Sequence, residues 1–144
     1  MADVQRTVLI RHSAEQMYEL VTNVADYPKF LPWCGGVDIR RQDEHGMEVR
    51  IDIHFGGIKQ YFATRNVHQR PTRIDMAFVD GPFRQLTGHW QFTPLRADAC
   101  RIDFALHYEF SNFFLEKIIE PVFHHIASTF VDSFVKRADE YYGQ

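Results

Sequence analysis

The chain holds only two cysteines, Cys34 and Cys100, far apart and outside any CxxC spacing. Neither a disulfide scaffold nor a zinc site is thereby suggested. Reduced thiols are expected, and with them a cytoplasmic location, at most peripheral to the inner membrane. No stretch approaches the roughly eighteen apolar residues that span a bilayer, and "MADVQRTVLIRHS" at the start lacks an apolar run of signal-peptide length. Basic charge is not in excess either: 16 Lys and Arg face 19 Asp and Glu, for a net charge of −3 and a pI near 6.2. Such a balance argues against a surface that grips nucleic acid all over, because phosphate neutralisation needs clustered cations. Internal repeats, low-complexity tracts and Gly/Ser linkers are missing, so one domain over residues 1–144 is expected. No P-loop and no GxGxxG occurs.

What the chain has in quantity is apolar and aromatic surface: 45% of its 144 residues are apolar, and 13 Phe, 6 Tyr and 2 Trp supply the rings. Rings in such number either fill a large core or line a pocket, and composition does not separate the two. The segment "DYPKFLPWC" (26–34) sharpens the question, since it sets Tyr27, Phe30, Leu31 and Trp33 around two prolines where no long helix or strand forms.

Periodicity supplies the architecture. A strand over 4–12 leads to Ser13, an N-cap with Gln16 three residues on, and then to a short helix whose Met17, Leu20, Val21 and Val24 share a face. Six strand signals follow, at 37–42, 47–55, 58–68, 73–79, 84–94 and 99–110, joined by turns of hairpin length. Alternation places Met47, Val49, Ile51 and Ile53 on an apolar face, with Cys100, Ile102, Phe104, Leu106 and Tyr108 doing the same; the 58–68 strand is too mixed to assign. Residues 113–142 carry Leu115, Ile118, Ile119, Val122, Phe123, Ile126, Phe130, Phe134 and Ala138 at helical spacing, with Pro121 expected to kink or end a leading turn. The fold expected is α+β: a curved antiparallel sheet of about seven strands wrapped around a long C-terminal helix, with a short helical segment after the first strand.

That order, together with "YPKFLPWC", "VDGPFRQLTGHWQFTPL" and "CRIDFALHYEF", resembles the START-like (SRPBCC, helix-grip) superfamily. Within it the chain is similar to the branch of coenzyme Q-binding proteins and RatA-type ribosome-association toxins, with polyketide cyclases as neighbours. The resemblance covers nearly the whole chain. It implies a hydrophobic tunnel between sheet and helix that holds ubiquinone or a related isoprenoid lipid, and transient contact with a membrane surface. For the RatA-type branch it implies binding to the large ribosomal subunit instead. No cofactor is required on either reading. The expected lining is Trp33, Met76, Phe78, Trp90, Phe92, Phe104, Leu106, Phe130 and Phe134, with Tyr27, Phe30 and Leu31 as a cap over one end or as plain core. Binding of the lipid is the leading expectation, ribosome binding its alternative, and polyketide cyclase-like chemistry a weaker alternative.

Catalytic and metal chemistry are not expected. The inward strand positions assigned above carry no general acid or base, and no two histidines sit at HxH or HxxxH spacing within one element. Gly88, between large residues, marks a bulge, a bend or a close approach. Arg65, Arg70 and Arg73, with Arg40 and Arg41 in a neighbouring hairpin, form a candidate basic patch for phosphate, weighed against an ordinary solvated hairpin end.

Overall fold

Ser13 starts a helix in the way its pattern demands. Its hydroxyl accepts from the Gln16 amide at 3.0 Å, and the Gln16 side chain accepts from the Ser13 amide at 3.0 Å, so two otherwise orphaned donors are satisfied. The computed structural model, which describes residues 2–143, places helix α1 at Ala14–Thr22 behind strand β1, Ala2–Ile10. A 3-10 turn (Val24–Asp26) and the single-turn helix α2 (Tyr27–Phe30) follow. Six strands then run in succession: β2 Cys34–Asp43, β3 Gly46–Phe55, β4 Ile58–Gln69, β5 Arg73–Asp80, β6 Phe83–Arg96 and β7 Ala99–Phe110. Helix α3, Phe113–Tyr142, closes the chain. Among the described residues no helix is long and apolar enough to cross a membrane.

All neighbouring strands are antiparallel, in the order β1-β7-β6-β5-β4-β3-β2. β1 begins and ends two residues earlier than its own pattern indicates, because its pairing with β7 runs from Ala2 opposite Tyr108 to Ile10 opposite Cys100. β1 and β2 are therefore opposite edges of one sheet, and α1 with α2 carries the chain from one edge to the other. Register shifts at Cys34/Gly36, Ile39/Arg41, Ala63/Thr64, Phe83/Gln85 and Pro94/Arg96 bend the sheet, as extra residues on one strand of a pair do. Gly88 is not among them. A Cβ there would lie 2.7 Å from the Ala105 carbonyl and 3.0 Å from Met76 Cε, so its notch is filled by neighbouring strands.

The concave face of the bent sheet holds the apolar side of each alternating strand. Met47, Val49, Ile51 and Ile53 are buried on β3, and Cys100, Ile102, Phe104, Leu106 and Tyr108 on β7. α3 lies across them with Ile119, Phe123, Ile126, Ala127, Val131, Phe134 and Ala138 buried. Ile118, read as part of this face, is 48% exposed, because it sits about 100° around the helix from Ile119. Helix α3 continues past Pro121 without a break.

The convex face carries a pattern missed in the periodicity: the tripeptide Arg-Ile-Asp occurs on β3, β5 and β7. In each, the isoleucine is buried while Arg50 meets Asp52, Arg73 meets Asp75 and Arg101 meets Asp103 at 3.0 Å. Two residues along a strand return to the same side, so each arginine finds its carboxylate on its own strand.

Candidate functional site

The space between sheet and α3 is small. A cavity of about 70 Å³ remains there, walled almost wholly by apolar groups. Trp90 explains the closure: it is 1% exposed, with ring-centroid distances of 4.7 Å to Phe104, 5.4 Å to Phe134, 5.7 Å to Phe130 and 5.8 Å to Phe92. An engineered cavity of about 150 Å³ admits benzene, and drug-sized ligands occupy about 300–1,000 Å³. The space described is smaller than either.

Of the expected lining, Trp33, Met76, Trp90, Phe104, Leu106 and Phe130 do border the cavity. Phe78, Phe92 and Phe134 do not. Phe78 packs on Phe83 at 5.9 Å, Phe92 lies between Trp90 and Tyr18, and Phe134 sits 5.3 Å from Tyr27 and 5.2 Å from Phe30. Phe92 and Phe134 are core and Phe78 is half-buried against it, all three held by edge and stacked ring contacts.

The cap divides in the same way. Tyr27 borders the cavity and donates its hydroxyl to the Val21 carbonyl, which ties α2 to α1; burial pushes its phenol far above the usual range. Leu31 is fully buried core, and Phe30, half-buried against Phe134, borders a separate crevice. The segment between the prolines is thus a plug across one end of the grip.

β4, which resisted assignment, turns out to supply the cavity's polar wall. Phe62, Thr64, Asn66 and His68 point inward, and the Thr64 hydroxyl donates to Asn66 Oδ1 at 2.9 Å. The strand left unassigned from sequence thus adds one titratable imidazole, His68, to the inward side. Burial, and then the Arg70 charge, hold its imidazole below the ordinary pKa of 6.5, so it is neutral near pH 7. Among the described residues no carboxylate borders the cavity.

His68 and Thr22 also open onto the second space, a crevice of about 760 Å³ between α1, the β2–β3 hairpin and the end of α3. Its walls include Tyr18, Phe30, His45, Arg70, Arg137, Tyr141 and Tyr142. Tyr18 meets His68 edge-on at 6.1 Å, and the Arg70 guanidinium lies 5.0 Å from the Tyr18 ring centre. Leu20, Phe30, His68 and Arg70 were each named from sequence for other reasons, and nothing in sequence joins them to Tyr18, Arg137 and Tyr141, because the crevice residues come from distant segments.

The five arginines of the expected patch do not form one. Glu48 takes Arg65 at 3.2 Å and Arg40 at 3.9 Å, and Asp75 takes Arg73 at 3.0 Å. Arg70 turns away to α1, where it pairs with Glu19 and Glu15. Arg41 is exposed, opposite Glu48 in the β2–β3 register. With each positive charge answered nearby, the hairpin end offers phosphate little net attraction.

Comparison with known proteins places the chain in context. The family model described as "Polyketide cyclase / dehydrase and lipid transport" matches residues 10–135. The ribosome association toxin RatA of Escherichia coli (strain K12) is 44% identical over 142 residues, covering 99% of this chain and 90% of that protein. The mitochondrial coenzyme Q-binding protein COQ10 of Dictyostelium discoideum is 29% identical over 147 residues, covering 96% of this chain and 70% of that protein. Among solved structures, the Zhui aromatase/cyclase from Streptomyces sp. R1128 superposes with a TM-score of 0.84 at 15% identity, over 96% of this chain and 93% of that one. A START superfamily protein from Mycobacterium smegmatis does so with a TM-score of 0.77 at 20% identity, over 96% and 97%.

Proposed function

The chain belongs to the polyketide cyclase / dehydrase and lipid transport family, with a START-like fold, and from that premise we propose that it is a non-enzymatic ribosome-associating protein. It binds the large ribosomal subunit in the cytoplasm and blocks the joining of subunits. The observation that carries this reading is the 44% identity with RatA along nearly the whole chain. The interior supports it from the other side. A lipid carrier needs a tunnel, and here rings close the tunnel to about 70 Å³. The coenzyme Q relative is the more distant one, and the leading sequence expectation gives way to its alternative.

Catalysis is no part of the proposal. Among the described residues His68 is the one imidazole on the cavity wall, and no carboxylate there hydrogen-bonds it to orient it as a base. The test is sedimentation of the purified chain through a sucrose gradient with dissociated and reassociated subunits. Co-migration with the large subunit, and a shift of intact ribosomes towards free subunits, is the expected result. A chain that stays at the top of the gradient beside both subunits overturns the reading.

A further inference from the structure

The crevice beside α1 is built unlike the rest of the surface. Most arginines of this chain meet a carboxylate, yet Arg137 meets none among the described residues, and its Nε is buried without a hydrogen-bond partner. Two rings hold it instead: its guanidinium carbon lies 5.2 Å from the centre of Phe30 and 5.5 Å from that of Tyr141. A guanidinium pinned by aromatic faces keeps its terminal donors free and loses little further entropy on meeting an anion. Tyr141 is 62% exposed and stands edge-on to Tyr142 at 5.0 Å, so one large ring face is open to stacking. Deeper in, the Tyr18 hydroxyl and the His68 imidazole line the same crevice, each without a hydrogen-bond partner among the described residues.

Among the described residues, none of the acidic side chains on these walls pairs with Arg137; each has another partner. Glu19 pairs with Arg70, Asp26 with Lys29 at 3.1 Å, and Asp43 accepts from the turn amides of His45 and Gly46 at 2.8 and 3.1 Å. Glu44 reaches His45 at 3.4 Å and is itself 85% exposed.

The geometry points to a nucleotide-binding site: the crevice takes one unstacked nucleotide of single-stranded RNA, its phosphate on Arg137, its base against Tyr141 and its base edge towards Tyr18 and His68. This rests on the ribosome reading and narrows it to an exposed single-stranded nucleotide of ribosomal RNA. The chemistry suits that target. Stacking on rings with one cationic contact recognises splayed bases and needs no broad basic surface, which this chain lacks. A volume of about 760 Å³ falls within the range of small-molecule pockets.

The test is fluorescence anisotropy of a labelled oligouridylate with wild-type chain, Arg137→Gln, Tyr141→Ala and Lys59→Gln. Lys59 lies at the start of β4, about 30 Å along the strand from His68. Saturable binding by the wild type, weakened about tenfold in Arg137→Gln and Tyr141→Ala and unchanged in Lys59→Gln, is the expected result. Tyr141→Ala removes a mostly exposed ring, so it keeps the test valid where Arg137→Gln disturbs folding. Failure of the oligonucleotide to bind, or equal binding by both crevice variants, overturns the site. Adenosine monophosphate binding as tightly as the oligomer overturns the RNA assignment in favour of a free nucleotide. Gradients separate the two readings. Wild type and crevice variants co-sedimenting alike would remove the crevice and keep ribosome association, whereas oligonucleotide binding without co-sedimentation would do the reverse. Crevice variants that lose co-sedimentation while the wild type ignores the oligonucleotide would assign the crevice to a ribosomal protein and overturn the RNA site.

Discussion

The central cavity and the end crevice share Thr22 and His68 in their walls, yet one encloses about 70 Å³ and the other about 760 Å³. The chemistry of the walls accounts for the difference. Apolar rings gain dispersion contacts and lose wetted area whenever they close a gap, so Trp90, Phe104 and Phe130 interdigitate until little space is left. Polar tips such as those of Arg137, Tyr18 and His68 cannot close on each other without stranding donors, so the crevice stays open to water. In this chain the larger hollow is therefore beside the grip, and the grip itself is mostly solid.

The contrast can be broken by opening the solid region. Trp90→Ala should cost about 3–5 kcal/mol, measured by urea denaturation, and should let benzene raise the midpoint of the variant but not of the wild type. A wild-type chain that already responds to benzene would mean that the rings part easily and that the two regions are alike. A smaller effect is expected from the opposite change. Ala127 is 3% exposed and borders the cavity, so Ala127→Leu fills it, shifting stability by about 1–3 kcal/mol and leaving ribosome co-sedimentation intact. Loss of co-sedimentation by a well-folded Ala127→Leu chain would put the function back inside.

The smallest effect belongs to the wall that both spaces share. His68 has a folded pKa below its ordinary 6.5, through burial and then Arg70, so the unfolded chain binds more protons between the two values. Stability from this group is complete above about pH 6.5 and is lost as pH falls through that value. His89 is displaced the same way by burial and Arg73. His68→Gln should therefore flatten part, not all, of the fall in urea midpoint between about pH 7 and pH 5. An unchanged slope would mean that His68 is as wet as the crevice beyond it.

Much of the frame was legible in advance. β3 and β7 alternate cleanly because one side of each meets α3 and the other meets water, and the capping box at Ser13 needs only local chemistry. β4 was not legible, since its inner side carries Thr64, Asn66 and His68, and polar residues on a buried face erase the period-two signal. Trp90 and Phe104 border the cavity, whereas Phe92 shares the strand parity of Trp90 and packs as core, as does Phe134 on the inner face of α3. Parity gives the face of a residue but not how far along the element the gap extends. The crevice depends on bringing Tyr18, Phe30, His68 and Arg137 together through a chain crossover, and no local pattern carries such a meeting. The Arg-Ile-Asp repeats, by contrast, could have been found by inspection.

Those repeats bear on how fast the chain meets anything. Where each arginine answers a carboxylate on its own strand, the field of the convex face decays within a few ångströms and reaches no distant polyanion. Encounter with a ribosome should then proceed at the unsteered rate of about 10⁵–10⁶ M⁻¹ s⁻¹, and adding salt should barely slow it. The charges on that face lend solubility without acting as a beacon.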